Sequence, residues 1–334
     1  MRAWQVSAFG IDSLEFVERT VPPPGAGEVL VGVRAVSFNY RDLMVVKGFY
    51  NPKMSLPRVP CSDGAGEVVA IGSGVTKWKP GDRVAGIFMQ NWLDGPPTAA
   101  KTRGALGGDI DGMLSEFVVL HEDGLVAIPD HMSFQEAATL PCAAVTAWNA
   151  LAEGDVMPGA TVLILGTGGV SLFALQFARL KGARVIGISG SDEKLERAKA
   201  LGLDAGLNYR ENPDWDRWAM DQTGGDGVDL VVEVGGLGTL VRSLKSIRRG
   251  GTVAQVGVLA GSEDAFPVPL ILHKMARIQG IYVGSREDFL EMNRAISLAQ
   301  LRPVGEEFHW SQARKVLERM EEASHFGKLV LTVG

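Results

Sequence analysis

Apolar and polar positions follow two successive patterns along the chain, and the change comes near Pro129. Before it, apolar runs are short and closely punctuated by turn residues. Residues 29–36, 66–72, 83–88 and 115–120 each read as a strand, and Pro80-Gly81-Asp82 is a turn feeding the third. Many short strands at close spacing predict a β-barrel or sandwich. Residues 92–112 are polar and rich in Gly and Pro, which predicts a surface loop. Beyond Pro129, helical periods cover residues 134–140 and 143–151. Apolar strand runs then alternate with helices: strand 161–165, helix 170–181 ending at Gly182, strand 184–188, and helix 193–201 ending at Gly202. Strands 229–234, 252–258 and 278–283 follow, then a helix over 310–323 and a short strand over 328–333. Strands alternating with helices predict an α/β parallel sheet with right-handed crossovers.

Composition narrows the class. At 334 residues the chain is expected to hold two domains, long enough for a full core without staples. The net charge of −6 argues against general binding of nucleic acid or anionic membrane. Cys61 and Cys142 cannot build a disulfide framework and suit a reducing compartment. No apolar run is long enough to span a bilayer, and residues 1–8 carry no signal-peptide pattern, so a cytoplasmic protein is expected.

The sharpest motif is Gly166-Thr167-Gly168-Gly169-Val170-Ser171, placed between a strand and a helix, with the next strand on schedule. That context is what a dinucleotide fingerprint requires. Gly166 permits the tight turn, Gly168 lets backbone approach a pyrophosphate, and the helix start offers free N–H groups to the phosphates. Ser171 stands where the pattern prefers Gly or Ala; its hydroxyl can bond back to a helical carbonyl. The bland alternative is a plain strand-to-helix turn in an α/β core.

The tip of the second strand discriminates between cofactors. An acid there would bind the ribose 2′-hydroxyl and repel a 2′-phosphate. The strand instead ends Ser189-Gly190-Ser191, and Asp192 and Glu193 fall where a helix cap and first turn belong. Lys194, and Tyr209 with Arg210 after the next short strand, are candidate partners of a 2′-phosphate, which favours NADP(H) over NAD(H). Alternatively, Lys194 and Arg210 are solvated surface charges.

With these features the chain resembles the medium-chain dehydrogenase/reductase superfamily, in its zinc-free quinone oxidoreductase-like branch. The resemblance rests on residues 80–84, 141–148, the Gly166 motif, Gly250-Gly251-Thr252-Val253 and residues 327–331, and it covers nearly the whole chain. It implies a GroES-like β-barrel catalytic domain over 1–130, completed by 284–334, and a Rossmann doubly wound domain over 131–283, with the cofactor in the cleft between them. Zinc members of the superfamily place a cysteine where this chain has Asn39, a His-Glu pair where it has Ser62-Asp63, and a third ligand at Cys142. A catalytic zinc needs three protein ligands, so no metal is expected. Cys142 reads as a small packed residue, with no nearby His in sequence to activate it.

Hydride transfer belongs to the cofactor, and the protein orients and polarises. Without a metal, charge developing on a substrate oxygen must be met by hydrogen-bond donors. The resemblance puts Asn39 beside the nicotinamide ribose and the substrate oxygen, and Tyr50 in a quinone-type pocket whose second tyrosine is Met44 here. Tyr40 and Arg41 are further polar candidates; alternatively Tyr40 is a packed ring and Arg41 an ion-pair partner of Asp42. The resemblance also implies that Thr146, Gly257, Val258, Val283 and Ser285 surround the nicotinamide, and that Arg286 and Lys328 contact phosphate or ribose. The edge strand 278–283 would pair across a two-fold axis, giving a homodimer. The expected activity is hydride transfer between NADP(H) and a small-molecule quinone, enone, aldehyde or alcohol. A zinc-type alcohol dehydrogenase and a non-catalytic NADPH-binding redox sensor are the competing readings.

Overall fold

The computed structural model describes residues 1–259 and 268–334, and the chain divides into two units, Met1–Val145 with Gly284–Gly334, and Thr146–Val283. The expected boundary at 130/131 lies ahead of this division. Residues 131–145 belong with the first unit because its β-strands and loops hold them. Arg83 Nη2 donates to Met132 O at 2.5 Å, His131 Nε2 lies 2.9 Å from Leu301 O, and Cys142 N–H donates to Asp63 Oδ2 at 3.2 Å.

In the first unit a long strand, Glu28–Phe38, is the hub. It pairs antiparallel with Asp63–Ile71, Phe117–His121 and Lys328–Thr332, within a seven-stranded sheet that also holds Gly305–His309, Arg83–Gly86 and Leu125–Ala127. Almost every residue of the hub is buried, which fits a strand covered on both faces rather than one alternating with solvent. Val29, Val31, Val33, Val36 and Phe38 form a core with Val68, Val84, Leu120, Leu329 and Leu331. Several elements carried no strong sequence signal: the hairpin Arg2–Val6 with Leu14–Glu18, the short helix Tyr40–Val46, and the 14-residue helix Arg286–Ala299. The stretch 92–112 holds no helix or strand, but it is not a surface loop throughout, since Trp92, Ala105 and Leu106 are buried. Its glycines serve close approach: a Cβ on Gly112 would sit 2.1 Å from Cys61 O, and one on Gly107 would sit 2.6 Å from Cys61 N.

The second unit is the expected parallel sheet. Its strands lie in the spatial order Ala205–Asn208, Arg184–Ser189, Thr161–Leu165, Val228–Glu233, Ile247–Gln255, Arg277–Gly280. Numbered along the chain this is 3-2-1-4-5-6, the doubly wound order whose switch point lies at the first strand. Helix Gly169–Leu180 buries Leu172, Phe173, Leu175 and Phe177, paired at i, i+3 and i, i+4, and Gly182 ends it at φ 77°. Between the units in sequence, the expected helices resolve into Phe134–Ala137, a π-helical turn Leu140–Ala144, and Val145–Glu153. Pro141 has no N–H to continue an α-helical ladder, which accounts for the break. Among the described residues no helix is long and apolar enough to cross a membrane.

Candidate functional site

The Gly-rich turn has the conformation its sequence demands. Gly166 lies at φ 72°, where only glycine is unstrained, and its N–H donates to Ile188 O at 2.7 Å. Gly168 is extended and caps the helix start. A Cβ on Gly166 or Gly168 would meet no protein atom within 4 Å, so open space lies against this backbone. Thr167 is buried, while Gly169 and Val170 are half-buried in the first turn. Ser171 does not bond a helical carbonyl as expected. Its buried Oγ donates 2.7 Å to Leu165 O, the last carbonyl of the preceding strand, and so pins helix to strand where a smaller residue would pack closer.

The neighbouring strand tip is shaped by its glycine. A Cβ on Gly190 would lie 2.9 Å from both Arg210 Nε and Tyr209 Oη, so these two polar groups sit directly over the tip. Ser191 caps helix Asp192–Ala200, accepting from Lys194 N–H at 3.4 Å, and Asp192 Oδ1 accepts from Asn208 Nδ2 at 3.2 Å. Of the two acids at this helix start, Asp192 thus holds the neighbouring strand's Asn208.

At the ends of the next strands one carboxylate organises the loops. Glu233 is fully buried; its Oε1 accepts from Gly235 N (2.6 Å), Gly236 N (3.1 Å) and Thr239 Oγ1 (2.6 Å), and its Oε2 from Ser243 Oγ. Its carbonyl accepts from Val256 N (2.8 Å) and Gly257 N (3.2 Å), which ties the two loops together. A Cβ on Gly257 would lie 2.4 Å from Val234 O. Sequence reasoning passed over Glu233, although an acid closing an apolar strand ahead of Gly235-Gly236 was a signal. Val258 is exposed, Thr146 is buried, and Val283 is buried at φ 59° with its carbonyl accepting from Asn149 Nδ2 at 2.8 Å. A β-branched residue in the left-handed region is strained.

A second constellation lies inside the first unit, where three strand ends converge. The register pairs Phe38 with Leu329 and Ser37 with Asp63, which brings Asn39, Asp63 and Lys328 together from three distant parts of the chain. Lys328 is buried; its Nζ donates to Phe38 O at 2.8 Å and to Asn39 Oδ1, and lies 3.8 Å from Asp63 Oδ2. Ser62 Oγ donates to Asp63 Oδ1 at 2.7 Å, and Asn39 Nδ2 points to Ser62 Oγ at 3.5 Å. Cys142 N–H, from the π-helical turn, completes the shell on Asp63. Burial raises the Asp63 carboxyl above its ordinary value, with the Lys328 ammonium the strongest opposing influence. Burial also raises the Cys142 thiol, the opposite of what a nucleophile needs.

Beside this cluster, Asp42 Oδ2 accepts from Asn39 N–H at 2.8 Å at the start of helix Tyr40–Val46. Burial pushes the Asp42 carboxyl up to about 6, against the opposing charge of Arg41. The Arg41 guanidinium stacks between the rings of Phe88 (4.6 Å) and Tyr50 (4.9 Å), donates to Leu106 O at 2.6 Å, and lies 3.8 Å from Asp42 Oδ1. Tyr40 is not part of this group: with Met44, Phe49 and Lys47 it lines a small separate cavity of about 80 Å³. Ser285 caps helix Arg286–Ala299 through Asp288 N–H at 3.1 Å, and Arg286 Nε donates to Leu125 O at 3.1 Å.

The donor set at the convergence does not suit zinc. It offers one carboxylate and one thiol of the ligand types zinc takes, and an ammonium lies against the carboxylate where a dication would be repelled. Among the described residues no three His, Cys, Asp or Glu side chains group to hold a metal ion.

Residues 169–297 match the zinc-binding dehydrogenase family, and residues 25–130 the alcohol dehydrogenase GroES-like domain. A zinc-type alcohol dehydrogenase-like protein of Schizosaccharomyces pombe is 44% identical over 97% of this chain and 96% of its own length. The solved structure of an NAD-dependent alcohol dehydrogenase is 36% identical, with a TM-score of 0.92 and 100% of both chains covered. The quinone oxidoreductase of Coxiella burnetii is 27% identical, with a TM-score of 0.81, covering 100% of this chain and 99% of its own.

Proposed function

The chain belongs to the medium-chain dehydrogenase/reductase superfamily and is an NAD(P)-dependent oxidoreductase, and from that premise we propose that it is a zinc-independent, NADP(H)-dependent reductase of quinones, enones or aldehydes. The observation that carries the zinc-free reading is the Lys328 ammonium buried among Asn39, Ser62, Asp63 and Cys142, the positions where zinc relatives are expected to keep their ligands.

The preference for NADP(H) is supported by Arg210 and Tyr209 over Gly190, while the nearby Asp192 carboxylate is engaged by Asn208 Nδ2. Gly166, Thr167, Gly168, Gly169 and Val170 would hold the pyrophosphate on the helix start, and Gly190, Ser191, Lys194 and Tyr209 the adenosine end. When bound, the cofactor supplies or accepts the hydride. Asn39 provides a hydrogen-bond donor to the substrate oxygen, whose developing charge then needs no metal. The exposed Tyr50 ring, backed by the Arg41 guanidinium, offers a face suited to a flat, conjugated substrate.

A homodimer in a cytoplasmic setting is part of the same proposal. Among the described residues strand Arg277–Gly280 ends the sheet, and Leu272, Met275, Ile278 and Tyr282 around it are exposed. An uncovered apolar edge favours pairing with a second copy. Light scattering tests the dimer.

The function is tested by titrating the protein with NADPH and NADH, then screening quinones, enones and aldehydes with and without a chelator. Saturable NADPH binding and chelator-insensitive turnover are expected. Stoichiometric zinc with chelator-sensitive alcohol oxidation would restore the zinc alcohol dehydrogenase reading. Tight NADPH binding without turnover of any acceptor would favour a sensor.

A further inference from the structure

The buried polar group with the least obvious purpose is Lys328. A lysine removed from solvent must be fully partnered, and its ammonium has donors only. Here those donors point at Phe38 O, Asn39 Oδ1 and the Asp63 carboxylate. All three partners lie at the same convergence of strand ends, 289 residues from Lys328 in sequence in the case of Asn39.

The consequence falls on Asn39. Its carboxamide has two ends, and a neighbour that can only donate pairs only with the oxygen end. The ammonium therefore fixes which end faces inward. Ser62 reinforces this: its hydroxyl hydrogen goes to Asp63, so its oxygen is left to accept one Asn39 N–H, at a long 3.5 Å. The Asp63 carboxylate is a further acceptor for the same Asn39 nitrogen, and Asn39 is only half-buried. The lysine thus holds the oxygen end, and the N–H end lies on the Ser62 and Asp63 side, where the Ser62 contact is long.

We propose that Lys328 is a built-in cation that stands where a metal ion would otherwise sit and acts as a positioning residue, holding Asn39 by its amide oxygen so that an Asn39 N–H, released from its long contact with Ser62, meets the substrate oxygen. Asp63 balances the ammonium, and Ser62 and the Cys142 N–H hold Asp63 in turn. The charge is thereby fixed by covalent attachment, and it acts on the reaction only through the Asn39 amide. This inference deepens the zinc-free reductase reading and rests on it.

The competing role for Lys328 is direct contact with cofactor phosphate or ribose, and the experiment separates the two. Wild type, Lys328→Met, Lys328→Arg and the charge-balanced double variant Lys328→Met with Asp63→Asn are compared for NADPH dissociation constant, by cofactor fluorescence. Turnover is measured with NADPH and 1,4-benzoquinone, methyl vinyl ketone or benzaldehyde as acceptor. The Asn39 side-chain amide is followed by NMR in protein labelled with ¹⁵N-asparagine.

Loss of a positioned oxyanion donor predicts a fall in kcat of about 100-fold or more for Lys328→Met, with the NADPH dissociation constant within about threefold of wild type. Lys328→Arg is expected to recover most of the kcat, and the Asn39 amide signals shift in Lys328→Met but not in Lys328→Arg. If Lys328→Met does not fold, the double variant removes both buried charges and is read in its place. Two results overturn the inference while leaving the reductase reading intact: a kcat near wild type in the methionine variant, or NADPH affinity lost by the same factor as kcat. A wild-type protein that neither binds NADPH nor oxidises it with any acceptor ends the reading and the inference together.

Discussion

Removing the Arg210 side chain tests the cofactor assignment most directly. Arg210 Nε and Tyr209 Oη each lie 2.9 Å from the Cβ position of Gly190, so a 2′-phosphate at this tip would meet both. A hydrogen bond to a charged partner contributes about 1.5–3 kcal/mol. Arg210 is exposed, so solvent and salt screen it and the lower end applies, about 1.5–2 kcal/mol. At about 1.4 kcal/mol per decade, Arg210→Ala should weaken NADPH about 10- to 30-fold. NADH carries only a neutral 2′-hydroxyl at this position and should change by less than about twofold on the same scale. The assay is cofactor fluorescence titration at low and at near-physiological salt, and the NADPH penalty should shrink as salt rises. Gly190→Ala gives an independent check, because the added methyl pushes both side chains aside without altering any charge, and it should also weaken NADPH selectively. Equal loss of NADPH and NADH affinity would show that Arg210 only supports the fold. A wild type that prefers NADH would refute the assignment outright.

Other outcomes follow from the same geometry. The Asp42 carboxyl is raised to about 6 from its ordinary 3.8, so the folded state holds this proton more tightly than the unfolded chain does. The resulting stabilisation is full below about 3.8 and is lost as pH rises through about 6, amounting to about 3 kcal/mol in all. The difference in urea-unfolding free energy between wild type and Asp42→Asn should track that window, and a pH-independent difference would contradict it. Gly257→Ala places a Cβ 2.4 Å from Val234 O; about 1–3 kcal/mol of overpacking is expected, read as a lower Tm together with weaker NADPH binding. Glu233→Ala strips the acceptor from Gly235, Gly236, Thr239 and Ser243 at once, and a loss of about 3 kcal/mol or more in unfolding free energy is expected. A thermal midpoint unchanged in Glu233→Ala would mean that water replaces the carboxylate.

Much of the dinucleotide-binding unit was legible in the sequence because its information is local. Apolar strand runs, helix periods, and glycines at Gly166, Gly182 and Gly202 set backbone conformation within a few residues, and those elements stand close to where they were expected. The Gly166 turn follows from the same local logic. The helix Arg286–Ala299 and the N-terminal hairpin carried weaker patterns, since their faces are set by the surfaces they pack against. The role of Ser171 was legible only in kind, because which carbonyl it reaches depends on how helix and strand pack.

What the tertiary structure alone decided is long-range. Lys328 reaches Asn39 because Lys328–Thr332 pairs antiparallel with Glu28–Phe38, and Asp63 joins them because its strand pairs with the other side of the hub. Tyr209 and Arg210 were already candidates from the sequence, but their seat directly on Gly190 comes from two parallel strands that set their tips side by side. Neither placement is written in the spacing of its residues, since sheet register joins strands whose separation in sequence imposes no distance in space.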